Sequence, residues 1–352
     1  MSTAALLLGS LLTLAALPVE GHLSRTAAVQ DPEPSFPPLR LSATDEAATT
    51  ELDAYLKALA KDDRFSGVVL VAREDQPWFE KAYGFASREF RVPNTVETRF
   101  DVGSLTKSYT QLALDQLRQL DALSLDDVVG TFLPDYPNER VREEVTIGQL
   151  LDHTSGLGDM FTPAYLRTPM GALRETADYL PIWGPDPLRF EPGSRQEYSN
   201  FGYTVLGAIL ESITGTSYAD YVQEAVFEPA GMTSSGFFEI DAIVPRVAVG
   251  YTRFDRTGRP TDVLRKNVFH EPAKGGPWGK SYSTARDVLR FYAALFAGEL
   301  SEEPVPSMPR GWNGGFGDAG GGPGMSALMA VERGNAVVVL ANQDEPAAEE
   351  EK

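Results

Sequence analysis

A serine and a lysine stand three residues apart in Phe100-Asp-Val-Gly-Ser104-Leu-Thr-Lys107. On a helix that spacing puts both side chains on one face, one turn apart. A serine hydroxyl is a poor nucleophile unless a neighbour accepts its proton. Lysine can accept it when burial or nearby positive charge lowers its pKa. The start of a helix also offers backbone N–H groups that stabilise an oxyanion. The pattern alone is short. The plainer alternative makes Ser104 a helix cap and Lys107 a solvated first-turn residue.

A second cluster reads Glu197-Tyr198-Ser199-Asn200-Phe-Gly-Tyr203. A tyrosine hydroxyl beside a serine–lysine pair would shuttle a proton to the leaving group. Asn200 would hold either a substrate amide or the lysine. The same Tyr-x-Asn pattern recurs at Tyr136-Pro-Asn138, inside a Pro-Asp-Tyr-Pro-Asn run where Asn and Pro have a turn role. The Tyr198 copy instead precedes a helical apolar run, Val205, Leu206, Ile209 and Leu210. The three histidines, His22, His153 and His270, are scattered and support neither a metal site nor a Ser-His-Asp triad.

These residues belong to a chain of 352, with 42 % apolar and 23 % charged residues. That is ordinary globular composition and excludes a disordered, collagen-like or coiled-coil chain. A net charge of −19 argues against nucleic acid or an anionic membrane as partner, since both need a basic footprint. With no cysteine, disulfides, thiolate metal sites, cysteine nucleophiles and cysteine-linked lipid anchors are all excluded. Covalent chemistry must use oxygen or nitrogen nucleophiles.

The elements that must position the motifs can be read from hydrophobic periodicity. Residues 1–28 carry an apolar run, Ala4 to Leu17, too short to span a bilayer but of signal-peptide length. They lack the usual Lys or Arg ahead of the apolar core. The expectation is a periplasmic or secreted protein with no membrane span. Residues 29–49 form a proline-rich linker, 50–342 the folded domain, and 343–352 an acidic tail. Leu52, Tyr55, Leu56 and Leu59 predict a helix over 51–61. The β-branched run Ser66–Ala72 predicts a buried strand, forming a hairpin with a second strand near Trp78–Phe85. A helix is predicted over Ser104–Leu123, and a helical lobe over about 123–230. Gly324–Val331 and Ala336–Ala341 read as strands joined at Arg333-Gly334-Asn335. Strands at both ends with helices between them predict an α+β fold. One antiparallel sheet, flanked by helices and closed by the two termini, would meet a helical second lobe at a cleft.

Ser104-x-x-Lys107 followed by Tyr198-x-Asn200 resembles the serine β-lactamase-related family, which includes class C β-lactamases, DD-peptidases, D-aminopeptidases and esterases. Supporting stretches are Leu150-Leu-Asp-His-Thr-Ser-Gly-Leu157, Phe190-Glu-Pro-Gly193, Pro229-Ala-Gly-Met232, Ser283-Thr-Ala-Arg-Asp-Val-Leu-Arg-Phe291 and Ala336-Val-Val-Val-Leu-Ala-Asn342, in family order. The resemblance implies acyl-enzyme chemistry without a cofactor or metal. Ser104 attacks, Lys107 activates it, and Tyr198 passes the proton. Asn200 and backbone N–H groups of a facing strand, at Gly320 and Gly321, would line the cleft. His153 would shape the cleft wall rather than act as a base.

The sequence departs from the family at three points. The family's third motif, Lys or His, any residue, then Gly, falls on Asp318-Ala319-Gly320. A carboxylate there would repel anionic substrates and raise the pKa of Lys107. The stretch from Leu300 to Gly317 is short and proline-rich, and no family-type C-terminal helix follows the last strand. Losing that helix exposes one sheet face unless a partner or the N-terminal helix covers it. Two functions are therefore open. One is a serine hydrolase of small esters or amides. The other is an impaired relative that binds a peptidoglycan-like or protein ligand without turnover. Substrate identity and oligomeric state are not legible.

Overall fold

The central strands are built from the most β-prone segments of the chain. The computed structural model describes residues 45–306, 308 and 311–344, so the signal-like segment and the end of the acidic tail lie outside the described residues. Strand β1 (Gly67–Arg73) and the hairpin strand β2 (Gln76–Tyr83) pair with the C-terminal strands β3 (Phe316–Gly322), β4 (Met325–Glu332) and β5 (Asn335–Ala341). The order is β2-β1-β5-β4-β3, with every pair antiparallel. The register Gly67↔Ala341 to Arg73↔Asn335 joins the two ends of the chain, as the sequence predicts. The β4–β5 turn is Arg333-Gly334, both at positive φ, the signature of a two-residue hairpin.

Alternation along these strands separates two apolar layers. Val68, Leu70, Val338 and Leu340 face the main core. Val69, Val71 and Val337 face Ala48, Leu52 and Leu56 of helix α1 (Asp45–Lys61). The N-terminal helix thus covers the sheet face that the sequence left open. It begins at Asp45, ahead of the expected start near residue 50, because Ala48 is already buried on the sheet.

The main core runs without a break from the sheet into the helical region. It includes Leu112 and Leu114 of α2 (Thr106–Gln119), Leu206, Ile209 and Leu210 of α3 (Asn200–Thr214), and Phe291 of α4 (Ala285–Phe296). Helix α2 stops at Gln119, four residues short of the expected Leu123, where Asp121 turns at positive φ. Helix α3 is capped by Ser199, whose hydroxyl accepts from Gly202 N at 2.9 Å, and stops at left-handed Gly215. Among the described residues, no helix is long and apolar enough to cross a membrane.

Strand β3 is the element that periodicity did not reveal. Three of its seven residues, Gly320, Gly321 and Gly322, form a glycine run with little intrinsic strand preference. Pairing with β4, from Met325↔Gly322 to Val331↔Phe316, holds it in the sheet. Its free edge lies beside Ser104.

Candidate active site

The chain reaches Ser104 through a sharp bend. Phe100–Asp101 pairs with Tyr282–Ser283, and Gly103 then takes φ 50 before a short 3-10 turn leads into α2. The Gly103 N–H donates to Asp101 Oδ1 at 2.9 Å. Opposite, Gly320 of β3 comes so close that a Cβ there would lie 2.7 Å from Ser104 N. Only glycine fits such an approach. Gly320 therefore has a steric role beside the Ser104 bend.

Lys107 is not the solvated first-turn residue of the plainer reading. It is 6 % exposed. Its Nζ donates to Ser104 Oγ at 3.1 Å, to Asn200 Oδ1 at 2.8 Å, and to the Trp278 carbonyl. Ser104 makes no capping bond and instead shares a 2.8 Å hydrogen bond with Tyr198 OH. Ser104, Lys107, Tyr198 and Asn200 thus converge, with Asn200 holding the lysine. Asn200 Nδ2 in turn donates to the Asp159 carboxylate at 3.1 and 3.3 Å. The other Tyr-x-Asn pattern stays apart, and Asn138 caps a helix by accepting from Val141 N.

The charges follow from burial. Desolvation brings Lys107 down to about 7, against opposing pulls from Asp159 and then Asp318. The expectation that Asp318 raises this lysine is right for its own contribution and wrong for the outcome. The carboxylate lies beyond bonding reach, whereas the whole ammonium has lost water. Burial also pushes Tyr198 well above its usual range, so it stays a neutral hydroxyl. Burial and then Lys107 lower His153 to about 4. Its Nδ1 accepts from Ser199 N at 3.2 Å, and its ring lies against Tyr198 and Tyr203, 4.5 and 5.1 Å between centroids. A neutral imidazole that already accepts a backbone bond forms a wall.

Asp318 is half-buried on β3, two residues before Gly320 and so on the same strand face. Its Oδ2 accepts from Ser108 Oγ at 2.6 Å and from Tyr292 OH at 2.9 Å. Gly321, next along β3, pairs with Ser326. Sequence reasoning missed Ser108, Tyr292, Asp159 and Trp278. Only Ser108 carried a signal, standing one helical turn after Ser104. It also missed a second buried lysine, Lys280, whose main-chain N–H donates to Gly103 O at 3.2 Å and whose Nζ bonds Asp101 Oδ2 at 3.2 Å. Ser104, Lys107, Tyr198, His153 and Asp318 together line a cavity of about 230 Å³.

An arrangement of this kind can attack a carbonyl carbon, hold an acyl group and return a proton to the leaving group. Comparison with known proteins gives it a context. A structure of a penicillin-binding protein from Bacillus halodurans is 32 % identical, with a TM-score of 0.73, covering 83 % of this chain and 95 % of that one. EstCE1, described as a hydrolase with promiscuous acyltransferase activity, shares the fold at 23 % identity and a TM-score of 0.68, covering 86 % of this chain and 95 % of that one. Penicillin-binding protein 4 of Amycolatopsis lactamdurans is 33 % identical over 242 residues, 66 % of this chain and 60 % of that relative. The Beta-lactamase family model matches residues 52–352. The chain belongs to the Beta-lactamase family, a family of serine hydrolases.

Proposed function

We propose that the protein forms an acyl-enzyme on Ser104 and hydrolyses small esters or amides. The observation that carries this is the environment of Lys107 Nζ. Two of its three bonding directions end on carbonyl oxygens, Asn200 Oδ1 and Trp278 O, which accept N–H bonds only. The third points at Ser104 Oγ. In the neutral amine the lone pair therefore faces the serine hydroxyl. As Ser104 Oγ bonds the substrate carbonyl carbon, its proton passes to Lys107. Tyr198, on the other side of Oγ, hands a proton to the departing alcohol or amine. Water then attacks the acyl carbon, giving its proton to the Tyr198 oxygen while Lys107 returns its own to Ser104 Oγ, and the acid is released. Ser104 N–H and the N–H that the free edge of β3 turns toward it beside Gly320 stabilise the oxyanion.

Intact mass after treatment with a fluorophosphonate, on wild type and Ser104→Ala, tests this reading. The expected result is one adduct on wild type, none on the variant, and wild-type hydrolysis of short-chain p-nitrophenyl esters. No adduct together with no hydrolysis would overturn it in favour of ligand binding without turnover. The apolar run Ala4–Leu17 supports a secreted or periplasmic location for the enzyme. Sequencing the N-terminus of the mature protein checks it, and an intact residue 1 on the exported chain would count against cleavage.

A further inference from the structure

We propose that Asp318 makes the acyl pocket a cation subsite, so that the preferred ester or amide carries an ammonium group on its acyl chain. This rests on Ser104 being the nucleophile. Alternation along β3 puts Phe316, Asp318 and Gly320 on one face of the strand. Gly320 abuts Ser104, Asp318 abuts Ser108, and the Phe316 ring lies 5.5 Å from that of Tyr292. Ser108, in the first turn of α2, follows Ser104 of the preceding 3-10 turn by four residues, about one helical turn or ~6 Å. A carboxyl and an aromatic side chain therefore stand about one turn from Ser104, on a cavity wall that both residues share with it. Carboxylates and aromatic faces are the two surfaces that attract an ammonium group.

The carboxylate is held in place and still has capacity to bind. Ser108 and Tyr292 both donate to Oδ2, which fixes the group. Among the described residues no side chain donates to Oδ1 and no Lys, Arg or His pairs with Asp318. The cavity's other titratable walls do not oppose a cation. His153 is neutral, and burial weakens the positive charge of Lys107. Burial raises both Asp318 and Asp159, with their hydrogen-bond donors and Lys107 pulling each back toward the carboxylate; Asp159 is reached through Asn200, behind the lysine. An anionic acyl group meets the Asp318 carboxyl on the cavity wall, where Lys107 is the one lysine or arginine among the lining residues.

Three p-nitrophenyl esters test the subsite: that of γ-trimethylammonio-butyrate, its uncharged tert-butyl isostere, and the hemiglutarate. In wild type the cationic ester should exceed the isostere in kcat/KM by about tenfold or more, with the hemiglutarate slowest. Asp318→Asn should bring the cationic-to-neutral ratio close to one, and Asp318→Lys should favour the hemiglutarate. Because a ratio is read, a general loss of activity in a variant does not enter it. A measurement on wild type alone gives the same information: rising salt should shrink the ratio, since the contact is electrostatic. Hydrolysis of all three esters with no cationic preference, or a preference that Asp318→Asn and salt leave intact, would overturn the subsite while leaving the hydrolase reading in place. Failure of every ester, with no fluorophosphonate adduct, would overturn both.

Discussion

Two buried lysines clasp the bend that carries Ser104, and they differ in almost every respect but burial. Lys107 is 6 % exposed and Lys280 1 %. Each also ties the bend to the same loop: Lys107 Nζ bonds the Trp278 carbonyl, and Lys280 N bonds Gly103 O. Around Lys107 Nζ the partners are a hydroxyl and two carbonyl oxygens. Around Lys280 Nζ they are two carboxylates, Asp101 at 3.2 Å and Glu271 at 3.7 Å, with the Tyr282 ring 5.7 Å away. Burial drives Lys107 down to about 7. Burial pulls Lys280 the same way, yet Tyr282, Asp101 and Glu271 raise it above its usual value. Desolvation sets the cost of the charge, and the partners' charge decides whether the cost is met. Lys107 is placed to give up its proton. Lys280 keeps its proton and braces Asp101, whose other oxygen holds Gly103 N.

The sharpest way to break this contrast is a crossed pair of variants. Lys280→Met leaves Asp101 and Glu271 buried without their cation. It should cost about 3–5 kcal/mol of stability, read as a fall in the urea midpoint. Lys107→Met removes the base and breaks no direct ion pair, although Asp159 and Asp318 lose a cation in their neighbourhood. It should lower kcat/KM for a p-nitrophenyl ester at least ~100-fold with the urea midpoint kept or raised. If both variants lose stability alike, the two lysines are not different in kind.

The pH dependence should separate them next. Activity should rise about tenfold per pH unit below 7 and level off above it, as Lys107 loses its proton. Stability should respond with opposite signs. Lys107 has a folded pKa below its ordinary 10.5, so the unfolded chain binds more protons between about 7 and 10.5. The fold gains stability as pH rises through that window, and Lys107→Met should flatten the slope. Lys280 has a raised folded pKa, so its contribution is fully present below 10.5 and is lost only above it. Urea unfolding at pH 7 and pH 10, on wild type and Lys107→Met, reads the difference.

Smaller effects sharpen the same picture. Asp101→Asn keeps an oxygen for Gly103 N but removes one charge beside Lys280, and should cost about 1–2 kcal/mol in the same unfolding assay. His153→Gln should be the mildest, with kcat/KM within about tenfold of wild type and an unmoved acid limb, because a neutral wall residue takes no part in proton transfer. An acid limb that moves with His153 would return the imidazole to the chemistry.

Much of this is legible along the chain. The i,i+3 relation of Ser104 and Lys107 is a property of helix geometry, so their shared face needs only the helix. Val68 to Val71 and Val337 to Val339 are β-branched or apolar runs that pair with little else to choose from. The Tyr198-x-Asn200 pattern is separable from its copy at Tyr136 because Pro137 and Asn138 suit a turn. Strand β3 is harder, since its order comes from β4 and the Ser104 bend rather than from its own glycines. Asp159, Trp278 and Tyr292 are out of reach. Each contacts the site across more than 25 positions of chain, as between Ser108 and Asp318 or Lys107 and Trp278, and no local spacing encodes such a contact.

The sequence by itself determined the candidate nucleophile, its helical neighbour, the family and the presence of a carboxylate at position 318. It could do so because residue identity and local spacing are written along the chain. Only the tertiary structure decided what charge those groups carry. Burial that no neighbour in sequence supplies lowers Lys107 to about 7, Lys280 keeps its charge through carboxylates brought from 101 and 271, and Asp318 is fixed by hydroxyls from two different helices. Solvation and Coulomb energies depend on distances in space, and folding sets those distances.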